Sequence, residues 1–429
     1  MNLLDDLFAG GLSRRKFIDI AAKAGLSLPL ANFMLSEVAA QQAPKSQDGV
    51  KFSPANIGGG GRVERDFYRD WIKTSKVPMV EGYSIFDAKT QEVQPWPEIG
   101  GRGVYLNFSG NVHMDAAIWE IPPGKALNER HNFYEQLLVV LSGRGYTTFT
   151  QGKQKNRFEW SEDGMFAIPM NLVHRHYNAD SSHPARLLVV STFPYALQSF
   201  GSVGLLNNAQ YDFNDRFDGS ADYFKRNERI RQRWEQANMV KNIRTAEVVD
   251  WEERGEGNAS MYWDMAGNTI LEPHISEFEV GHYKLGHRHP YEAIILTLNG
   301  KGFSLAGKGS LKGSEVVKMD WKEGSVVSPP FFWYHQHFNT GATPARYWAV
   351  TEGDFPKRLG IPLDVEQIEK DQEDPAIRKM FEAELQKARQ PGGLEDHDHD
   401  DDHGHDHDHD HHHHDHDHDG EHHHGHSHG

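Results

Sequence analysis

Three His-x-His pairs occur among the 11 histidines that precede residue 395: His174 with His176, His287 with His289, and His335 with His337. On a strand, residues i and i+2 face the same side, so such a pair can aim two imidazoles at one ion while the residue between them turns away. The segment GHYKLGHRHPYE, residues 281–292, supplies His287 and His289 with Glu292 close behind, and His335 comes from a later strand. Three neutral imidazoles with an optional carboxylate leave open positions on an octahedral Fe(II), Mn(II) or Ni(II) ion. The chain has no cysteine, which removes disulfides, thiolate metal sites and cysteine nucleophiles together.

The elements that must position these histidines occur twice. Residues 164–178 read GMFAIPMNLVHRHYN, and residues 324–339 read GSVVSPPFFWYHQHFN. Upstream, EQLLVVLSGRG at 135–145 matches EAIILTLNGKG at 292–302, and downstream Pro-Ala-Arg recurs at 184–186 and 344–346. A repeat of this length implies two copies of one domain, each with its own core. Closely spaced β-branched runs with Gly and Pro punctuation, such as 104–108, 116–121, 137–141 and 187–191, read as the strands of a sandwich or small barrel. The expected layout is an all-β pair of tandem barrels, at 101–200 and 247–356, with a few peripheral helices. A Gly- and Pro-rich arm (41–100) precedes them, and a linker (201–246) joins them. The polar stretch 220–237 within that linker reads as a helix. In the closing segment 357–394, Asp374-Pro375 reads as an N-cap and first helical residue, with Ile377, Phe381 and Leu385 as one apolar stripe.

On these residues the sequence resembles the cupin superfamily. Its first motif is met by Gly281, His287, His289, Glu292 and Gly300, with a shorter His-to-Glu gap and a slightly longer Glu-to-Gly gap than usual. The second is met by Gly324, Pro329, His335 and Asn339. With aromatics preceding His-x-His-x-Asn, the chain looks most like the bicupin ring-cleaving dioxygenases of the gentisate and hydroxynaphthoate type. The resemblance covers roughly residues 100–355. It implies double-stranded β-helix barrels and an iron held by His287, His289 and His335.

The first copy departs from this pattern. Gly124 to Glu135 reads GKALNERHNFYE, in which Glu129 is taken to replace the first ligand histidine. The candidate set there is Glu129, His131, Glu135 and His174, either a hard divalent-ion site or a barrel kept for packing alone. His176 and His337, two positions after a ligand, are candidate general bases or wall residues. Arg130 and Arg288 should point out of their barrels by strand parity. His113, His183, His274 and His282 read as ordinary surface or loop histidines.

Both ends look unlike a domain. Ser13-Arg14-Arg15-Lys16-Phe17-Ile18 and the modestly apolar stretch after it resemble a twin-arginine signal peptide over 1–40, implying export through that machinery to the periplasm or beyond. Residues 395–429 hold 17 histidines and no Lys or Arg, a composition expected to stay disordered and to bind Zn, Ni or Cu ions. That tail also holds 13 of the 62 acidic residues, so the formal charge of −17 belongs mostly to it. The near-neutral body carries no basic stripe for nucleic acid, and no apolar run is long enough to cross a bilayer. Oligomeric state, a homo-oligomer included, stays open. The leading expectation is an exported Fe(II)-type dioxygenase acting on a small oxygenated, perhaps aromatic, compound. The alternatives are a Mn-dependent decarboxylase or isomerase, and a non-catalytic periplasmic metal- or small-ligand-binding protein.

Overall fold

The duplicated β-branched runs form duplicated pairs of sheets. The computed structural model describes residue 23 and residues 65–151, 154–312, 316–361 and 364–389. Apart from residue 23, the expected signal peptide lies outside the described residues, as do the arm up to residue 64 and the histidine-rich tail. In the first copy, Gly101–Phe108, Asp115–Ile121, Ala185–Ser191, Gln136–Ser142 and Met165–Ile168 lie side by side in an eight-stranded sheet. A three-stranded sheet accompanies it, made of Val173–Asn178, Arg144–Gln151 and Gln154–Ser161. In the second copy, Asn258–Asp264, Glu272–Phe278, Ala345–Thr351 and Ala293–Asn299 form the centre of a nine-stranded sheet. Its companion has five strands, with Tyr334–Asn339 between Lys301–Gly307 and Tyr283–Arg288. The result is two tandem barrels, all-β with a few peripheral helices.

Strand parity assigns each residue to one of two cores. Ala116 and Ile118 belong to a cluster shared with Met261, Ile275, Leu296 and Trp348 of the second copy. Ala117 and Trp119, one position on, belong to the aromatic-rich interior of the first barrel with Phe149, Phe158 and Phe166. The two large sheets therefore pack against each other through one face, and each closes its own barrel with the other. Each fully buried aliphatic side chain in the shared layer contributes on the order of 2 kcal/mol.

Segments outside the repeats complete the sheets crosswise. Ser84–Ile85, which precedes the first copy, pairs with Val326–Val327 of the second. Met239–Val240, which precedes the second copy, pairs with Met165 and Phe166 of the first. A second reciprocal contact is made by hydrogen bonds. Glu135 is fully buried and accepts hydrogen bonds from the backbone N–H groups of Thr269, Ile270 and Leu271 in the other copy, at 2.6 to 3.0 Å. Glu292 does the same with Val112, His113 and Met114, at 2.7 to 3.1 Å. Each carboxylate thus fixes the loop that launches a strand of the neighbouring barrel.

The expected helix over 220–237 is absent. Those residues form a single 3-10 turn, Tyr223–Lys225, and an exposed hairpin of Asn227–Arg231 with Trp234–Ala237. Lys, Arg, Glu and Gln give the segment helical propensity, but the edge of Asn258–Asp264 offers unpaired backbone groups, and Trp234 stacks on Tyr262 at 4.9 Å. Helices lie earlier, at Phe193–Phe200 closing the first copy and at Val203–Asn208 in the linker. The closing helix forms as expected over Pro375–Arg389, with Asp374 Oδ1 accepting from Ala376 N and Ile377 and Phe381 buried. No helix among the described residues is long and apolar enough to cross a membrane.

Replacing Glu292 by Gln puts an amide N–H₂ where only acceptors fit, facing backbone donors that have no other partner. The expected cost is about 3 kcal/mol, read as a lower urea midpoint in equilibrium unfolding. The same substitution at Glu135, which also meets Arg216, is expected to cost at least as much.

Candidate metal centre

His287 and His335 face each other across a strand pair, and His289 follows on the same side, so that one nitrogen from each lies within 4.8 Å of the others. All three are buried. Each ring is locked by its Nδ1–H, which donates to a backbone carbonyl: His287 to Leu285 at 2.8 Å, His289 to Tyr291 at 2.8 Å and His335 to Trp333 at 3.0 Å. That choice of tautomer leaves each Nε2 with a free lone pair. Burial drives all three imidazoles well below their ordinary pKa, His335 to about 4, so they are neutral ligands at physiological pH. Ring centroid separations of 4.4, 4.8 and 5.7 Å describe a compact triad. This donor set fits a divalent ion.

The turn before His335 is built under constraint. Phe332 sits at φ 60°, in the left-handed region that bulky residues avoid, and its ring lies under the Arg288 guanidinium at 4.4 Å. Arg288 points away from the triad, as parity predicts, and pairs with Glu366. The equivalent left-handed residue in the first copy is Asn171, which tolerates that conformation.

Glu292 does not join the triad. Both of its oxygens are occupied by the backbone of the other barrel, and the group it shares with His113 and Glu352 is already satisfied internally, with Glu352 Oε2 accepting from Glu292 N. The expectation of a carboxylate ligand is therefore corrected, and the centre is a three-histidine one.

The first copy holds no such set among the described residues. Counted from Gly124 and Gly281 to Glu135 and Glu292, it is Arg130 and Asn132 that stand where the second copy has His287 and His289. The structure agrees, because Arg130 bridges to His174 as His287 pairs with His335. Glu129 is exposed. His131 binds Asn171 Oδ1 at 2.9 Å, and Glu135 is held by the 269–271 backbone. Of the proposed first-site ligands only His174 faces the interior with a free ring nitrogen. Arg130 points inward, contrary to expectation, since the strand register is offset by one residue from the one assumed.

The remaining histidine positions have distinct duties. His337 lines the pocket beside the triad, and its Nδ1 shares a hydrogen bond with Ser304 Oγ, which also accepts from Trp321 Nε1. His176 repeats this arrangement with Thr147 and Trp160 inside the first barrel. Asn178 and Asn339 donate to backbone carbonyls that close the adjoining loops. His183 is exposed, as expected, while His282 is half-buried and His113 is half-buried on Glu352. His274, read as an ordinary surface or loop residue, is instead buried and stacked on Tyr262 at 4.6 Å in the same pocket as the triad.

That pocket, of about 70 Å³, also brings in residues the sequence did not single out: Arg254, Glu272 and Lys284. Burial, reinforced by Asp354 and Asp264, raises the Glu272 carboxyl to about 7. Burial also depresses Lys284, whose Nζ binds Tyr347 Oη at 2.7 Å. The sequence signal for Glu272 was its position, since it opens the strand of the second copy as Asp115 opens that of the first.

Residues 117–191, within the first barrel, match the family described as Cupin domain. Solved structures similar to the whole chain include two single-residue variants of Bacillus subtilis oxalate decarboxylase, each 12% identical over 73% of this chain and 88% of that one, with a TM-score of 0.45. A deletion variant of the same enzyme is 13% identical over 70% and 86%, also with a TM-score of 0.45. No curated protein sequence matches this one.

Removing His335 should abolish stoichiometric metal binding in protein ending before residue 395, while removing His174 should leave it intact, as read by metal analysis. Because burial depresses all three imidazoles, protons compete for them only as pH approaches about 4, the value for His335, and not near the ordinary 6.5. Metal content is expected to stay level from pH 8 to 5. In the metal-free protein His335 favours folding fully above pH 6.5, and that contribution is lost as pH falls through about 4.

Proposed function

We propose that the second barrel is the active site of a metal-dependent enzyme that removes a carboxyl group from a small oxygenated acid. Pocket size carries this reading. At about 70 Å³ the space beside the triad is well under the ~150 Å³ of a cavity that accepts benzene, which disfavours an aromatic ring and suits an acid of few atoms. His287, His289 and His335 would hold the ion, and Fe(II), Mn(II) and Ni(II) all suit the donor set. A bound divalent ion supplies Lewis-acid stabilisation of negative charge on substrate oxygens.

The chain's own residues supply the rest. Arg254 lines the pocket with a positive charge suited to a substrate carboxylate. Glu272, poised near neutrality, can deliver a proton to the carbon that keeps the bonding electrons when CO₂ departs. Ala293, Ile295 and Ala349 form an apolar wall that limits water. His337, kept neutral by burial and oriented by Ser304 Oγ, is a further polar group of the pocket wall. The triad alone fits a ring-cleaving dioxygenase equally well, so the two readings are separated by products. Release of CO₂ from small oxo acids or dicarboxylates without net O₂ uptake supports decarboxylation, and O₂ consumption with a dihydroxybenzoate restores ring cleavage.

If Glu272 donates the proton, kcat should fall as pH rises through about 7, where that proton is lost. Glu272→Gln should lower kcat by roughly 10² to 10⁴ and remove that alkaline limb, with metal content unchanged. Export is part of the same proposal, with the tail gathering Zn, Ni or Cu ions outside the cytoplasm. Changing Arg14 and Arg15 together to Lys keeps both charges but removes the motif. Unprocessed precursor should then accumulate in the cytoplasm, and an unchanged periplasmic yield by fractionation would refute the export reading.

A further inference from the structure

The first barrel also has a pocket, and it lies at the position equivalent to the metal pocket. Asp115, Ala117, Trp119, Arg130, Tyr134 and Gln136 line it, the counterparts of Glu272, His274, Ser276, His287, Tyr291 and Ala293. At about 330 Å³ it is far roomier than the 70 Å³ of the second and falls at the lower end of the ~300–1,000 Å³ usual for small-ligand sites. Its walls are largely aromatic, with Trp71, Trp96 and Phe193 joining Trp119 and Tyr134.

The polar chemistry is uneven. Arg130 as a residue is half-buried, yet its Nε and Nη1 atoms are closed off from solvent and meet no hydrogen-bond partner among the described residues. Its guanidinium lies over Trp119 at 4.5 Å, and its strand neighbour His174 likewise has a free Nε2. The buried carboxyl in the same pocket does not serve it, because Asp115 is already held by Tyr105 Oη at 2.5 Å and Ser191 Oγ at 2.6 Å. Lys76 and Glu98 are exposed lining residues of opposite charge. A buried cation without a counter-charge is costly unless something brings one.

We propose that this pocket binds an aromatic monocarboxylate, with Arg130 taking the place that the metal ion holds in the second barrel. The carboxylate would meet the guanidinium, which suits its planar, two-oxygen geometry, and the ring would fill the space among the tryptophans. Gln136, also in the lining, accepts from Asn132 Nδ2 through its Oε1, so its amide N–H₂ is the group that would meet a ring hydroxyl. The first barrel is then a binding module for a ligand different from the substrate of the second.

Benzoate is the test probe, followed by calorimetry and by the fluorescence of the cavity tryptophans in the full-length protein. Benzamide, its neutral analogue, should bind at least about 10-fold more weakly. Arg130→Met should weaken benzoate by about 100-fold and Arg130→Lys by less. Ala117→Leu should block binding while the guanidinium remains, which keeps the test decisive if Arg130→Met does not fold. His335→Ala should leave benzoate binding unchanged, which separates this site from the fate of the proposed reaction. Failure of benzoate to bind, or equal binding to wild type and Arg130→Met, would show that Arg130 only fills a vacated metal position. Loss of binding in His335→Ala would assign the ligand to the other barrel and overturn the proposal.

Discussion

Two buried carboxylates hold this molecule in register. Glu135 and Glu292 stand at the same place in their repeats, and each receives three consecutive backbone N–H groups from the other barrel. A carboxylate on oriented backbone donors is among the stronger hydrogen-bonded arrangements available to a protein interior. The loops fixed this way lead directly into Asp115–Ile121 and Glu272–Phe278, whose first residues, Asp115 and Glu272, are the acidic groups of the two pockets. Each pocket is thus positioned by a residue of the neighbouring copy. This explains why Glu292, so close to the ligand histidines in sequence, is not available to an ion.

Within that frame the two copies have moved apart by a few side chains. Trp160 with Thr147 and His176, and Trp321 with Ser304 and His337, keep the same hydrogen-bonded chain in both interiors. Arg186 and Arg346 likewise each pair with a glutamate on the adjacent strand and bind carbonyls of a preceding loop. What changed is the charge chemistry at the mouth. Where the second copy has two imidazoles the first has a guanidinium and an amide, and Ala117 stands in place of His274 beside the larger cavity.

Much of this was legible in the sequence because it is periodic. Alternation of apolar residues gave the strands, the repeat gave the two barrels, and i, i+2 spacing placed His287, His289 and His335 on one face. The errors share a cause, which is information that spacing does not carry. A one-residue offset in aligning the copies exchanged Glu129 for Arg130 and so turned the wrong side chain inward. Glu292 follows its histidines as a ligand would, and only the loop arriving from the other barrel shows otherwise. The hairpin at 227–237 formed because an open sheet edge outweighed local propensity. Glu272, Arg254 and Lys284 converge from separate segments of the chain, so no local spacing joins them into one set.

The crosswise edge strands bear on the order in which the chain can be built. Met239–Val240 completes the first barrel's large sheet, and Ser84–Ile85 completes the second's. A nascent chain that has emerged only as far as residue 200 contains every strand of the first repeat, yet it lacks the strand that covers Met165 and Phe166. The earliest edge strand, in turn, has no partner until residues 326 and 327 arrive. Assembly is therefore committed late and as a unit, with an open sheet edge in the interval that other chains could occupy. The last turns of synthesis, more than the first, decide whether the barrels close on each other.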